Sequence, residues 1–484
     1  MSLTIPTFHL SSIGPWLTLT VAAILILMLD ALTRGRKKLF PPLCLAALGV
    51  ALLQTICLWG RQGTDFSRMV YLDNFSLFFY LIFILGTALT VLLSRAYLED
   101  YGKNLGEYYV LLLFATVGMM LMAAGAHLIM IFLGLEILSI AVYVLAGLFR
   151  EDVKSNEAAL KYLILGAFSS AFLLFGLALL YGATGTLFLD DLAKTLNGPG
   201  LRTPLILAGV ALIIVGFGFK VAAVPFHMWT PDVYEGAPTS ITAFMAVGVK
   251  AAAFAAFARV FFLVFPALKV DWQMVLWVLA VGTMTLGNVV AIAQTNIKRM
   301  LAYSSIAHAG YLLVALVAAN QLGAVSLLYY LLAYTLMNMG AFGVVILVGR
   351  KKDRYLNIYD YAGLGAQHPA LAATMAIFMF ALAGIPPTAG FVGKFYIFSA
   401  AIQAGYIWLA IIGVMNSLVS VYYYLRITVL MYMKPAEADL GPISFATGLK
   451  LTLILTAIGV LWIGIFPGFL YNLAVNSVKI FPGL

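Results

Sequence analysis

Charge is scarce in this sequence. Asp, Glu, Lys and Arg make up only 10% of 484 residues and apolar residues 63%, whereas soluble domains are about 25% charged and about half apolar. That balance excludes a cytosolic globular protein. It equally excludes disorder, which needs low hydrophobicity and high net charge. Cysteine is nearly missing, and Cys44 and Cys57, both in one apolar stretch, cannot build a multi-cysteine iron–sulfur or zinc site. There is no Walker A sequence and no HExxH, and GFGFK lacks both the third glycine and the preceding strand of a dinucleotide fingerprint. No two of the five histidines share a helix at a spacing suited to haem. Nucleotide hydrolysis and redox chemistry are therefore absent from this chain, and any uphill movement must draw on an ion gradient or on partner subunits. The net charge of +9 comes with no basic stripe among stacking aromatics, so nucleic acid is not a partner.

What is present is long apolar runs. A helical span needs about 20 such residues, and the runs are too long and unbroken for barrel strands. Fourteen spans are expected, at roughly 12–33, 41–60, 76–94, 108–125, 126–149, 159–183, 204–226, 240–265, 273–294, 301–320, 323–349, 369–403, 406–433 and 447–468. No basic n-region precedes the first, which reads as a retained helix rather than a signal peptide. Loops are too short for an independent domain, so residues 1–484 form one all-α polytopic membrane domain. An even number of spans puts both termini on one face. Arg34, Arg36, Lys37, Lys38, Arg95, Lys103, Arg150, Lys154, Lys298, Arg299, Arg350, Lys351, Lys352, Arg354 and Lys434 fall on the opposite face. The terminal face has Arg61, Arg68, Lys194, Arg202, Lys269 and Lys479. Fifteen against six makes the first face cytoplasmic by the positive-inside rule, with both termini outside.

The remaining charges sit where hydrocarbon should be, at a cost of roughly 2.5–3.5 kcal/mol each at a helix centre. Asp30, Arg259, Arg426 and Lys450 lie near helix ends, where long side chains snorkel to the headgroups. Glu157 and Lys161 are spaced as a helical ion pair, acid first, with anchoring and function both open. Glu136 (IFLGLEILSI), Lys220 (GFGFKVAAVPF), Lys250 (AVGVKAAAFAAF) and Lys394 (GFVGKFYIF) are flanked by apolar residues on both sides. One acid cannot neutralise three lysines in a purely structural pairing. Burial favours the neutral amine and a nearby carboxylate the ammonium. Lysines so placed are expected to exchange protons near neutral pH as the carboxylate moves or becomes hydrated.

Backbone breaks support this. Pro225 cannot donate to the carbonyl of Val221, beside Lys220, and GIPPTAG puts Pro386 and Pro387 between Gly384 and Gly390. Broken backbone at membrane depth belongs in buried or wet sites, and paired interrupted helices mark transport sites. An ordinary proline kink is the bland alternative. The two breaks lie five spans apart, consistent with a repeat of spans four to eight in nine to thirteen. His308 (YSSIAHAGY), one turn after Ser304, is suited to relay protons or to sit hydrogen-bonded in the core. His127 and His227 fall near opposite membrane faces.

The stretch VPFHMWTPDVYEGAPTS (224–240), with FLGLEILSIAVY, TNIKRMLAYSSIAHAGYLLVAL and LAGIPPTAGFVGKFYIFSA, closely resembles the antiporter-like subunits of respiratory complex I over nearly the whole chain. Lysine at 394, where one branch of that family has glutamate, narrows the resemblance. So do the roughly sixteen residues after the last span, where another branch adds a long lateral helix. The resemblance implies fourteen core helices with inverted five-helix repeats, broken seventh and twelfth helices, and an antiporter-like core at about 108–433. It implies that Glu136 and Lys220 pair in a first half-channel, that Lys250 is the connecting lysine, that Lys394 ends the second half-channel, and that His308 lies on the polar axis between them. It also implies a proton-translocating role in a bacterial plasma-membrane hetero-oligomer, beside a neighbouring antiporter-like subunit and small membrane subunits. NAD, FMN, iron–sulfur clusters and quinone would then belong to partners and no cofactor to this chain. A sodium/proton antiporter subunit and a structural spacer are the competing readings.

Overall fold

Among the residues described in the computed structural model (10, 12–32, 37–102, 105–198, 202–349, 353–436, 441, 443 and 445–481), thirteen helical segments are long and apolar enough to cross a bilayer. They begin with α1 (Gly14–Leu32), α2 (Phe40–Cys57), α3 (Asn74–Asp100), α4 (Gly106–Ala124), α5 (Leu128–Ala146) and α6 (Val153–Thr184). After the short α7 (Leu189–Leu196) comes α8 (Pro204–Val221), and after α9 (Thr230–Gly236) a continuous span formed by α10 (Thr239–Phe244), a π-helical turn and α11 (Lys250–Leu263). Next are α12 (Lys269–Ile292), α13 (Ile297–Ala318) and α14 (Gln321–Gly349). A four-residue α15 (Leu364–Gln367) leads to α16 (Pro369–Ala383) and α17 (Ala389–Gln403), the two halves of the expected twelfth span. The chain ends on α18 (Ile407–Met433), α19 (Thr447–Ile465) and α20 (Gly468–Val478).

Local chemistry sets these ends. The side chains of Asp73, Asp152, Thr203 and Asn296 accept backbone N–H groups at the starts of α3, α6, α8 and α13, satisfying donors that the first helical turn leaves free. Two glycines let α4 and α5 touch. A Cβ on Gly118 would meet the Gly134 carbonyl at 2.6 Å, the close approach that small residues permit between membrane helices.

Two loop faces result. On one, a hairpin of β1 (Gly63–Asp65) and β2 (Val70–Leu72) bridges to Gly125, and His127 bridges to Phe188. On the opposite face Asn296 bridges to Asn357. Of the basic residues expected there, Arg34, Arg36, Lys103, Arg350, Lys351 and Lys352 lie outside the described residues, as does the side chain of Lys37. The span α10–α11 is buried along its length, and α13 and α14 nearly so. The outer helices α1, α6, α12 and α18 turn exposed apolar side chains outward, among them Phe168, Phe175, Val278 and Leu418.

Candidate proton path through the helix bundle

Both expected breaks are present. In the first, α8 stops at Val221, four residues before Pro225, with Ala222 in the left-handed region at φ 62°. Trp229 Nε1 then caps the Phe219 carbonyl at 3.0 Å, and Val224 N–H donates to Thr283 Oγ1 at 2.9 Å. The loop is thus satisfied by protein, as backbone at this depth must be. In the second, α16 ends at Gly384, φ 86°. Here Lys394 reaches back from α17 and donates to the carbonyls of Leu382 and Ala383 at 3.0 and 2.9 Å. The negative end of one half-helix holds the cation of the other.

All three mid-span lysines are 2–4% exposed, and each ammonium rests on neutral oxygens. Lys220 Nζ donates to Ser139 Oγ at 2.7 Å and to Tyr143 Oη at 3.5 Å, both on α5. Lys250 Nζ, just past the π-helical turn, donates to the Ser305 carbonyl at 2.5 Å and to its hydroxyl. Lys394 Nζ adds Ser417 Oγ at 2.9 Å. Among the described residues Glu136 makes no ion pair, and its buried Oε1 has no hydrogen-bond partner. The contact pair that the resemblance implied is therefore not formed in this state, although Glu136 stays within electrostatic reach of Lys220. Ser139, one turn further along α5, takes the ammonium instead.

His308 lies on α13 between Ser305, which holds Lys250, and Tyr311, whose ring lies under Lys394. Its Nδ1 is 2.6 Å from Tyr330 Oη and its Nε2 3.0 Å from Tyr424 Oη, and Tyr424 in turn contacts Ser304. Lys394 sits over the Tyr311 ring at 4.9 Å. The Tyr311 hydroxyl accepts from Asn288 at 3.1 Å, and Tyr423 donates to Asn288 Oδ1 at 2.9 Å. A polar band thus runs from Lys250 through Ser305, Ser304, Tyr424 and His308 toward Lys394. A cleft of about 440 Å³ between α17 and α18 reaches Lys394 from outside. Among the described residues no side-chain hydrogen bond joins Lys220 to this band, and none joins Lys250 and Ser305 to Ser304, Tyr424 or His308; the Lys250 end meets the band through the Tyr334 ring, whose centroid is 5.9 Å from Lys250 Nζ and 5.1 Å from that of the His308 ring.

Three sequence expectations change or sharpen. Arg259 does not snorkel. It is 1% exposed and holds Asp73 through two hydrogen bonds of 2.8 and 2.9 Å, with further bonds to Ser76 and the Ala123 carbonyl. A partner 186 residues away makes burial cheaper than reaching the headgroups. Lys298, read as a loop charge, is also 1% exposed. Lys161 pairs with Glu157 at 2.6 Å as expected, and with Asp232 at the same distance. The hydroxyl partners Ser305, Tyr330, Tyr424 and Ser417 carried no sequence signal, because isolated Ser and Tyr are ordinary in membrane helices. Ser139 and Ser304 were visible only as neighbours one turn away from Glu136 and His308. No group of three or more metal-ligating side chains converges among the described residues.

Broken helices that meet buried lysines across a hydroxyl-lined band define a membrane ion-translocation fold of the antiporter-like class. Residues 125–420 match the family described as NADH:quinone oxidoreductase/Mrp antiporter, transmembrane. The chain is 50% identical over 476 residues to NADH-quinone oxidoreductase subunit N of Trichlorobacter lovleyi, covering 98% of each. It superposes with TM-score 0.83 and 35% identity on a chain of respiratory complex I from Thermus thermophilus solved with bound aureothin, covering 95% of this chain and 99% of that one. A chain of the Mrp complex from Dietzia shares the fold at TM-score 0.87 and 22% identity, covering 98% of each. The chain belongs to the NADH-quinone oxidoreductase subunit N family.

Proposed function

We propose that this chain is a proton-translocating membrane subunit of NADH–quinone oxidoreductase, built into a hetero-oligomer of the bacterial plasma membrane with the basic loop face cytoplasmic and both termini outside. NADH oxidation and quinone reduction take place on partner polypeptides that carry FMN and iron–sulfur clusters. The antiporter-like core spans about 108–433 and contains two inverted five-helix repeats.

The observation that carries this reading is the setting of Lys220, Lys250 and Lys394. Each is buried, lies at or beside a helix irregularity, and is held by neutral oxygens, with no carboxylate in contact among the described residues. An ammonium so held keeps its charge only as long as the local field allows. When Glu136 swings toward Lys220, or away from it, the balance between amine and ammonium shifts and a proton is taken up or released. Losing one partner of a buried pair costs about 3–5 kcal/mol, comparable to moving a charge across 100 mV, about 2.3 kcal/mol. His308, bonded at both ring nitrogens to tyrosines, hands a proton between the Lys250 and Lys394 ends.

The test uses assembled complex in vesicles. Lys220→Ala and Glu136→Ala abolish pumping by this subunit while the complex still forms. Unaltered pumping in both would make the chain a spacer. Cation/proton exchange by this chain with antiporter partners, without NADH or quinone, would make it an antiporter subunit.

A further inference from the structure

On the face opposite the hairpin, a second buried lysine–carboxylate cluster stands outside the path described so far. Lys298, at the start of α13, donates to the Ala237 carbonyl at 2.7 Å and stands 3.8 Å from Asp353 Oδ2. Tyr97 Oη and Thr239 Oγ1 both donate to that same carboxylate oxygen at 2.8 Å. The other oxygen, Oδ1, is buried and has no hydrogen-bond partner among the described residues. The carboxylate side chain is 13% exposed and the lysine 1%, so one end of the cluster touches the surface and the other does not. Glu235, Asp152 and Lys154 are its further charged neighbours, Glu235 being paired with Lys154 at 2.8 Å and with Arg299 at 2.9 Å.

The inner end leads to Lys250. Ser305, which holds Lys250 Nζ, lies seven residues beyond Lys298 on α13. Seven residues are almost two whole turns, so both face the same side of the helix about 10.5 Å apart. Tyr234, on α9, reaches Ser305 with its hydroxyl. Its carbonyl accepts from Thr242, in α10, at 2.9 Å.

We propose that Lys298 and Asp353, completed by Tyr97 and Thr239, form a proton-uptake station that supplies Lys250 from this face; the inference rests on the proton-translocating reading above. Asp353 takes a proton from the aqueous side and passes it to the neutral amine of Lys298. That leaves a carboxylate beside an ammonium, and the ammonium releases its proton inward past Tyr234 and Ser305. No bond other than O–H and N–H forms or breaks. The alternative is a pin, in which Lys298 merely fastens the Ala237 turn.

Proton uptake and electron transfer are measured together in inverted vesicles carrying the assembled complex, for wild type, Lys298→Arg, Asp353→Asn, Asp353→Glu and Lys220→Ala. Arginine keeps the charge and a donor for Ala237 but does not give up its proton. Lys298→Arg and Asp353→Asn are expected to lose proton uptake per electron, and Asp353→Glu to restore it. Wild-type uptake in Lys298→Arg beside a deficient Lys220→Ala overturns the station and leaves the pin. Wild-type uptake in Lys220→Ala as well overturns the translocation reading, and the station falls with it. If Lys298→Arg does not assemble, Asp353→Asn, which keeps the side-chain shape, decides by the same ratio.

Discussion

Lys220 donates its ammonium to Ser139 Oγ at 2.7 Å, although Glu136 is only three residues away on the same helix. The Glu136 carboxylate makes no ion pair with Lys220 among the described residues, and its buried Oε1 is left without a hydrogen-bond partner. Ser139 anchors the ammonium in this structure, and this gives it a role that can be measured.

Replacing Ser139 with Ala removes a hydrogen bond to a charged group, a loss of about 1.5–3 kcal/mol. Pumping per electron should fall in Ser139→Ala and be kept in Ser139→Thr, which retains the hydroxyl. Vesicle acidification assays on assembled complex check both. Equal pumping in the two variants would remove Ser139 from the account.

Gly384→Ala tests the second break. At φ 86° an added Cβ would lie 3.0 Å from Lys394 Cδ and 3.3 Å from its Nζ, and a left-handed L-residue costs about 1–2 kcal/mol by itself. Pumping should drop although no titratable group is replaced, because the added methyl crowds Lys394 out of its place against the end of α16. Gly182→Ala, with nothing within 4 Å of its Cβ, should behave as wild type.

Arg259 and Asp73 should matter for stability and not for transport. Arg259→Met leaves the Asp73 carboxylate buried and unpaired, which costs about 3–5 kcal/mol. A lower unfolding temperature of the complex is expected, with protons per electron unchanged in what remains folded. A lost ratio at unchanged stability would place Arg259 on the proton path.

Asp232 and Glu235 give a pH dependence outside the bilayer. Burial pushes both carboxyls up, but hydrogen bonds and charge from Lys161 and Arg299 on Asp232, and from Lys154 and Arg299 on Glu235, hold both below the ordinary carboxylate range. Groups depressed in the folded state stabilise it above their unfolded value, about 4, and lose that contribution as pH falls through the folded value. The protection factors of the α9 amides, taken relative to intrinsic exchange at each pH, should therefore stay level from neutral pH down to about 5, then fall below about 4. In Asp232→Asn with Glu235→Gln the acid step should vanish.

The spans were legible because an apolar run of helical length has one use in a bilayer. The breaks were legible because GIPPTAG and Pro225 cannot continue a helix, although the first break begins at Ala222, earlier than the proline. Lys220, Lys250 and Lys394 stood out because a lone charge among alanines and valines has no cheap explanation. Their partners did not, since Ser305 is 55 residues from Lys250 and Ser139 is 81 from Lys220. Contacts of that range depend on how helices pack, which periodicity does not report. Arg259 and Lys298 were misplaced for the same reason. Nearness to a helix end suggested water, while Asp73 and Asp353, brought in from distant segments, supplied charge inside the protein.

The measurement that bears most directly on the central claim is the proton-to-electron ratio of the assembled complex with Lys250→Met, which keeps side-chain length and removes the amine. A ratio below wild type, or arrested turnover if coupling is strict, is the predicted result. Wild-type turnover with a wild-type ratio would contradict the account, because the band from Ser305 to Lys394 would then have no titrating group at its inner end.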